Sequence, residues 1–169
     1  MEPALIAVIG AVVGILLTNG LKLWLDARAR AERVRDIQTA LRAEIRSHRH
    51  AFELLGSEAE WRAAVSEMAA SELIPFTPQK PPPFVFDAIV GEIHILPGAV
   101  VDPVVLYYGQ YATVRATIDD LRDPQVKELD PLRRANMFND YFVVSAYALQ
   151  LANEAIEAIN LSLARNEVQ

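Results

Sequence analysis

From Ala4 to Leu25 the chain reads ALIAVIGAVVGILLTNGLKLWL, and only Thr18, Asn19 and Lys22 in those 22 residues are clearly polar. At about 1.5 Å of rise per residue a helix of this length extends roughly 33 Å, enough to span the hydrocarbon core of a bilayer. A helix apolar on every side belongs in a core or a membrane, because no face of it is suited to water. A cleavable leader would carry a basic start, a shorter apolar stretch and a small-residue cleavage site. Here Glu2 is the only charged side chain before the run, and Ala27-Arg28-Ala29 lies in an arginine-rich stretch. The expectation is a retained transmembrane anchor over residues 1–25.

The flanks orient it. Lys22, Arg28, Arg30, Arg33 and Arg35 follow the run, while three residues with one acid precede it. The positive-inside rule then puts the amino terminus outside a cytoplasmic (inner) membrane and the body in the cytoplasm. Lys22 can extend its amine to the headgroups and Trp24 can sit among them. Arg28, Arg30, Arg33 and Arg35 are placed to meet anionic lipids, at about 1 kcal/mol each near the surface. Within the anchor, Gly10 and Gly14 form a GxxxG pair that Ala7 and Thr18 extend as one small-residue face. Such a face lets a second membrane helix approach closely, and Asn19 adds an amide that prefers a hydrogen-bonding neighbour. Membrane lipids and a transmembrane helix, from another subunit or a second copy, are the expected partners.

Charge divides the chain. Residues 1–49 hold eight Lys/Arg against five Asp/Glu, +3, and residues 50–169 hold eight against seventeen, −9. A basic membrane-proximal segment followed by an acidic body is not the footprint of a nucleic-acid binder. The absence of cysteine excludes disulfides, thiolate metal sites and cysteine nucleophiles.

Beyond the anchor the periodicity is helical. Val34, Ile37, Leu41, Ile45, His48, Phe52 and Leu55 recur at three- and four-residue steps, which predicts an amphipathic basic stalk over residues 26–56 closed by Gly56. Ser57 and Glu60 form a capping box for a helix striped by Trp61, Val65 and Met68. Residues 75–83 are a proline-rich linker with Pro75, Pro78, Pro81, Pro82 and Pro83. A helix through Phe86, Ile89, Val90, Ile93 and Leu96 follows. Asp102-Pro103 and Asp130-Pro131 each supply an N-cap and a proline at the first helical position for two long helices. Their stripes are Val104, Tyr107, Tyr108, Tyr111, Val114, Ile118 and Leu121, then Phe138, Tyr141, Phe142, Ser145, Leu149, Ala152, Ile156, Ile159 and Leu163. The fold class expected is all-α: a transmembrane helix continuing into a stalk, then an acidic antiparallel bundle over residues 57–169.

Chemical motifs are scarce. No GxxxxGK[ST], GxGxxG or GxSxG occurs, and no paired Glu-x-x-His motif marks a di-iron bundle. Glu44 and His48 share a helix face, but two ligands are too few for a metal. His94, among isoleucines and a leucine, reads as a buried histidine. Tyr107 and Tyr111 share a face that Tyr141 can meet across an antiparallel pair, and buried phenols need partners, so these rings and His94 are the candidate pocket or partner surface. No cofactor or catalytic residue is expected. In organisation the chain resembles small bacterial proteins with one anchor and a helical cytoplasmic body, a likeness of architecture that assigns no family. The functional expectation is a non-catalytic accessory or scaffold subunit of a membrane complex; the alternative is a membrane-tethered sensor whose bundle binds a ligand or protein.

Overall fold

A computed structural model describes the backbone of residues 2–71 and 79–166 and the side chains of residues 19–71 and 79–165. The chain is all-helical in these residues. Its helices are α1 (Glu2–Glu53), α2 (Glu58–Ala70), α3 (Phe84–Ile89), α4 (Gly98–Leu121) and α5 (Pro131–Asn166). Two 3₁₀ turns, Val90–Ile95 and Pro124–Glu128, join α3 to α4 and α4 to α5. The backbone forms two compact units, Met1–Ile37 and Gln38–Gln169.

In the first unit Leu21, Leu23, Trp24 and Leu25 are 58, 71, 56 and 50% exposed. Asn19, Lys22, Arg28, Arg30, Arg33 and Arg35 are exposed as well. The Arg28 guanidinium lies 5.6 Å over the Trp24 ring and pairs with Glu32 at 3.0 Å. The small-residue face of Ala7, Gly10, Gly14 and Thr18 falls outside the residues whose side chains are described. Among the described residues no helix is long and apolar enough to cross a membrane.

The second unit is a helical bundle that takes in the last part of the predicted stalk. Leu41, Ile45, His48 and Phe52 recur at four, three and four residues, and all four are buried. Burying a large aliphatic or aromatic side chain is worth about 1.5–3 kcal/mol, so this stripe holds the helix in the core rather than leaving it a solvated stalk. The α4 stripe from Val104 to Leu121 is buried at every position named above, with Val100 added at its start. On α5 the buried arc is wider and includes Ala148, Ala152 and Ala155 at full burial. Small side chains there let neighbouring helices approach, since α5 packs against both α2 and α4.

Polar ties fix the directions. Gln110 of α4 donates from Nε2 to the Val144 carbonyl at 2.9 Å, within an antiparallel pair closed by the Pro124–Glu128 turn. Gln38 Nε2 donates to Ser162 Oγ at 2.9 Å, and Arg42 Nη1 to Asn160 Oδ1 at 3.0 Å. As α1 ascends its numbering, its partners on α5 descend, so this part of α1 is antiparallel to α5 and parallel to α4. A parallel pair needs a crossover, and the chain between α1 and α4 supplies it through α2 and α3; Pro75 and Pro78 of the expected linker lie outside the described residues.

Helix ends follow local chemistry with one exception. Ser57 and Glu60 complete the predicted capping box. Asp130 accepts from Arg133 N–H at 3.0 Å as α5 begins at Pro131. The start expected at Asp102-Pro103 is corrected: α4 begins at Gly98, and Pro103 lies inside it. The Pro97 carbonyl accepts from Val100 and Val101 N–H at 2.8 and 3.1 Å, and Val100 joins the core. Burial of Val100 offsets the single helical bond that Pro103 cannot donate.

Gly56 has φ +84, and a Cβ there would meet Glu60 Oε2 at 2.9 Å. A side chain in left-handed backbone costs roughly 1–2 kcal/mol, and Glu60 is held in place by the capping box. Gly56→Ala should therefore lower the thermal midpoint by a few degrees, read by circular dichroism; an unchanged midpoint would show that this turn does not constrain the bundle.

Candidate functional site

Three tyrosines on two successive turns of α4, Tyr107 with Tyr108 and then Tyr111, organise a polar and aromatic cluster, because each phenol is buried and each hydroxyl must find a partner. Tyr107 Oη shares a 2.9 Å hydrogen bond with His48 Nδ1. Tyr108 Oη donates to Glu44 Oε2 at 2.6 Å. Tyr111 Oη donates to the Pro81 carbonyl at 2.9 Å. Glu44 and His48 are one turn apart on α1, so one helix face supplies the partners of Tyr107 and Tyr108.

The rings are packed as tightly as the polar atoms. His48 stacks on Tyr111 with centroids 4.1 Å apart and planes within 5°. Phe86 of α3 stacks on Tyr108 at 4.0 Å and 15°. Phe52 meets Tyr111 edge-on at 6.2 Å. Lys80 lies 5.2 Å from the Phe52 ring centroid and donates to the Ala51 carbonyl at 3.4 Å.

Glu44 makes the most connections. Besides Tyr108 it accepts from the backbone N–H of Val85 at 2.8 Å and of Phe86 at 3.2 Å, in the first turn of α3. Pro83, the N-cap of that helix, makes no side-chain capping bond. A carboxylate from another helix therefore caps α3.

Electrostatics follow from burial. The Tyr107 phenol is pushed well above its ordinary range by burial, with the neighbouring Tyr111 and Glu44 adding to it. Burial, the hydrogen bond to Glu44 and its negative charge do the same to Tyr108. Burial carries Tyr111 up to about 12, Arg115 opposing and Glu44 reinforcing. All three are neutral phenols at physiological pH, hydrogen-bonding groups rather than bases. Burial lowers Lys80. Burial also lowers His48, against the pull of Glu44 and with a small push from Lys80.

An open cleft of about 510 Å³ adjoins the cluster. Ala40, Ala43, Glu44, Ser47 and His48 of α1 line one side, and Pro81, Pro82, Phe84 and Val85 the other. Small and apolar side chains dominate it. Among the described residues no group of three or more His, Asp or Glu converges as a metal site.

Of the residues picked from sequence, Tyr107 and Tyr111 meet here, but two do not. Tyr141 lies beside α2, its ring 5.9 Å from that of Trp61, which also stacks on Phe142 at 5.1 Å. The expected meeting of Tyr141 with the α4 tyrosines gives way to this contact because Trp61 occupies that flank of α5. His94 is exposed in the Val90–Ile95 turn, its Nδ1 3.1 Å from the Gly91 carbonyl. It is not the buried histidine expected, since that turn contributes no buried residue. His48 takes that place, and its position in the α1 stripe between Ile45 and Phe52 is the signal that it faces the core. Glu44, Tyr108, Phe86 and Lys80 complete the cluster.

No family model, no curated protein and no solved structure matches this chain.

The lowered His48 gives a pH dependence of known sign. Between its folded value and the ordinary 6.5 the unfolded chain binds a proton that the folded chain refuses. Stability is therefore full above about pH 6.5 and declines as pH falls through that value. Denaturant titrations from pH 7.5 to 5.0 should show this decline, and His48→Gln should flatten it; an equal decline in the variant would assign the effect to other groups.

Proposed function

We propose that this protein is a single-pass, membrane-anchored accessory or scaffold subunit, with its helical bundle presented to a partner on the cytoplasmic side. The observation that carries the reading is the exposure of Leu21, Leu23, Trp24 and Leu25, which at 100° per residue spread over about 200° of the circumference of α1 and leave one side to Lys22. Water does not favour such a helix, and a lipid interface does. The apolar run Ala4–Leu25 that these residues close and the arginines behind them fit the same picture, with Arg28 over Trp24 as an interfacial pair. Gly10 and Gly14, with Ala7, Thr18 and Asn19, form the face through which a partner helix is read.

The cleft beside Glu44 and His48 favours a second reading, a membrane-tethered sensor in which a ligand seated on α1 alters the bundle. It predicts a ligand-dependent rise in the thermal midpoint of the whole chain. A fragment starting at residue 50 cannot test it, because Leu41, Ile45 and His48 belong to the core.

Two measurements test the first reading. Membranes from cells making the chain should retain it through alkaline carbonate and release it only to detergent; recovery in the carbonate supernatant would overturn the anchor. A mild-detergent pull-down should then recover an integral membrane partner that Gly10→Leu/Gly14→Leu loses. An unchanged set of co-purifying proteins would overturn the helix-packing role.

A further inference from the structure

We propose that residues 80–95 form a strap that detaches from the bundle as one unit, with Glu44 as its latch, and that its release turns the cleft into an open face of α1. The strap covers the core without entering it. Neither α3 nor the Val90–Ile95 turn contributes a buried residue, although FVFDAIVGEIHI is mostly apolar. Phe84 is 69% exposed and Val90 51%. Lifting the segment therefore leaves no cavity among α1, α2, α4 and α5, and the usual cavity cost of moving an apolar element is absent.

Several discrete ties hold it. Lys80 reaches the Ala51 carbonyl, Pro81 accepts from Tyr111, Phe86 stacks on Tyr108, and Glu44 takes the N–H groups of Val85 and Phe86. The bonds to Glu44 are charge-assisted and paired, which makes them the strongest of the set. They also support the secondary structure. α3 has six residues and no cap of its own, and isolated helices shorter than about 12–15 residues are marginal in water. Loss of the carboxylate removes the tether and the cap together, so detachment and loss of the helix are one event.

The ends are suited to such a motion. Pro81, Pro82 and Pro83 have no N–H to give to the bundle and hold the chain extended. Leu96, 5% exposed, pins the other end just before α4. One wall of the cleft belongs to the strap, through Pro82, Phe84 and Val85, and the other to α1. With the strap lifted, Ala40 and Glu44 join Ala43 and Ser47, which are exposed already, in one continuous face.

Hydrogen exchange on the purified full chain in mild detergent, comparing it with Glu44→Gln, tests this. The expected result is exchange faster by about tenfold or more at Val85 and Phe86, with the same factor at Asp87, whose N–H bonds Pro83, and through residues 90–95. Amides of α4 and α5 should keep their rates. Acceleration confined to Val85 and Phe86 would overturn the proposal, because it would report two lost bonds and no concerted opening. Acceleration of α4 and α5 in step would also overturn it, since Glu44 would then hold the whole bundle. Should Glu44→Gln fail to fold, Tyr111→Phe decides: it keeps the ring on His48 and removes only the bond to Pro81. It should speed the same strap amides by a factor of about three, and unchanged rates there would overturn the strap.

Discussion

The tyrosine face of α4 is the constraint to which the rest of the bundle is fitted. Burying Tyr107, Tyr108 and Tyr111 removes a large apolar area from water, but a buried hydroxyl without a partner costs more than a hydrogen bond contributes. Each phenol therefore dictates what must stand opposite it. α1 answers with His48 and Glu44, and the proline segment answers with a backbone carbonyl that needs no side chain at all. The position of α1 beside α4 and the course of the chain after Lys80 both follow from those three bonds.

A carboxylate that caps another helix links elements that packing alone would leave loosely related. Glu44 joins α1 to α3 and α4 through one pair of oxygens. The core beneath is apolar and close-packed, whereas α3 and its following turn rest on the surface. Local stability therefore grades from the α4–α5 pair, with its alanine-lined contact, to the crossover segment, in the way native proteins open region by region. The acidic charge of the body also has a local counterpart here: the aromatic cluster contains one carboxylate, already bonded by three donors, so the cluster is not a free anionic site.

Much of the bundle was legible in the sequence. The α4 stripe reads directly as buried positions, since three- and four-residue spacing of valine, tyrosine and isoleucine has one helical solution. The Ser57/Glu60 capping box and the Asp130-Pro131 start are local chemistry and read equally well. The start at Asp102-Pro103 misread a proline whose missing bond is outweighed by burial of Val100, and no local signal reports that. The reading of His94 as buried failed for a related reason. An apolar neighbourhood in sequence says nothing about neighbours in space, and Val90–Ile95 is apolar yet lies outside the core. The role of Glu44 was beyond reach, because its partners are backbone groups 41 and 42 residues away. The proposed anchor joins a run read in the sequence, whose first side chains lie outside the described residues, to the exposed Leu21, Leu23, Trp24 and Leu25 at its end.

The antiparallel pairing of α1 with α5, tied at Gln38–Ser162 and Arg42–Asn160 across 124 and 118 residues, has a consequence for the order of assembly. The α4–α5 hairpin is closed by a short turn and can form from local contacts, which is the fast route. The bundle half of α1 is made well before its partners on α5, which come 124 and 118 residues further along the chain. Until then Leu41, Ile45 and Phe52 have only part of their final surroundings, and an amphipathic helix in that state must be shielded from other exposed chains. A chain built this way completes its core only once α5 has been made, and α1 spends that interval waiting for its neighbour.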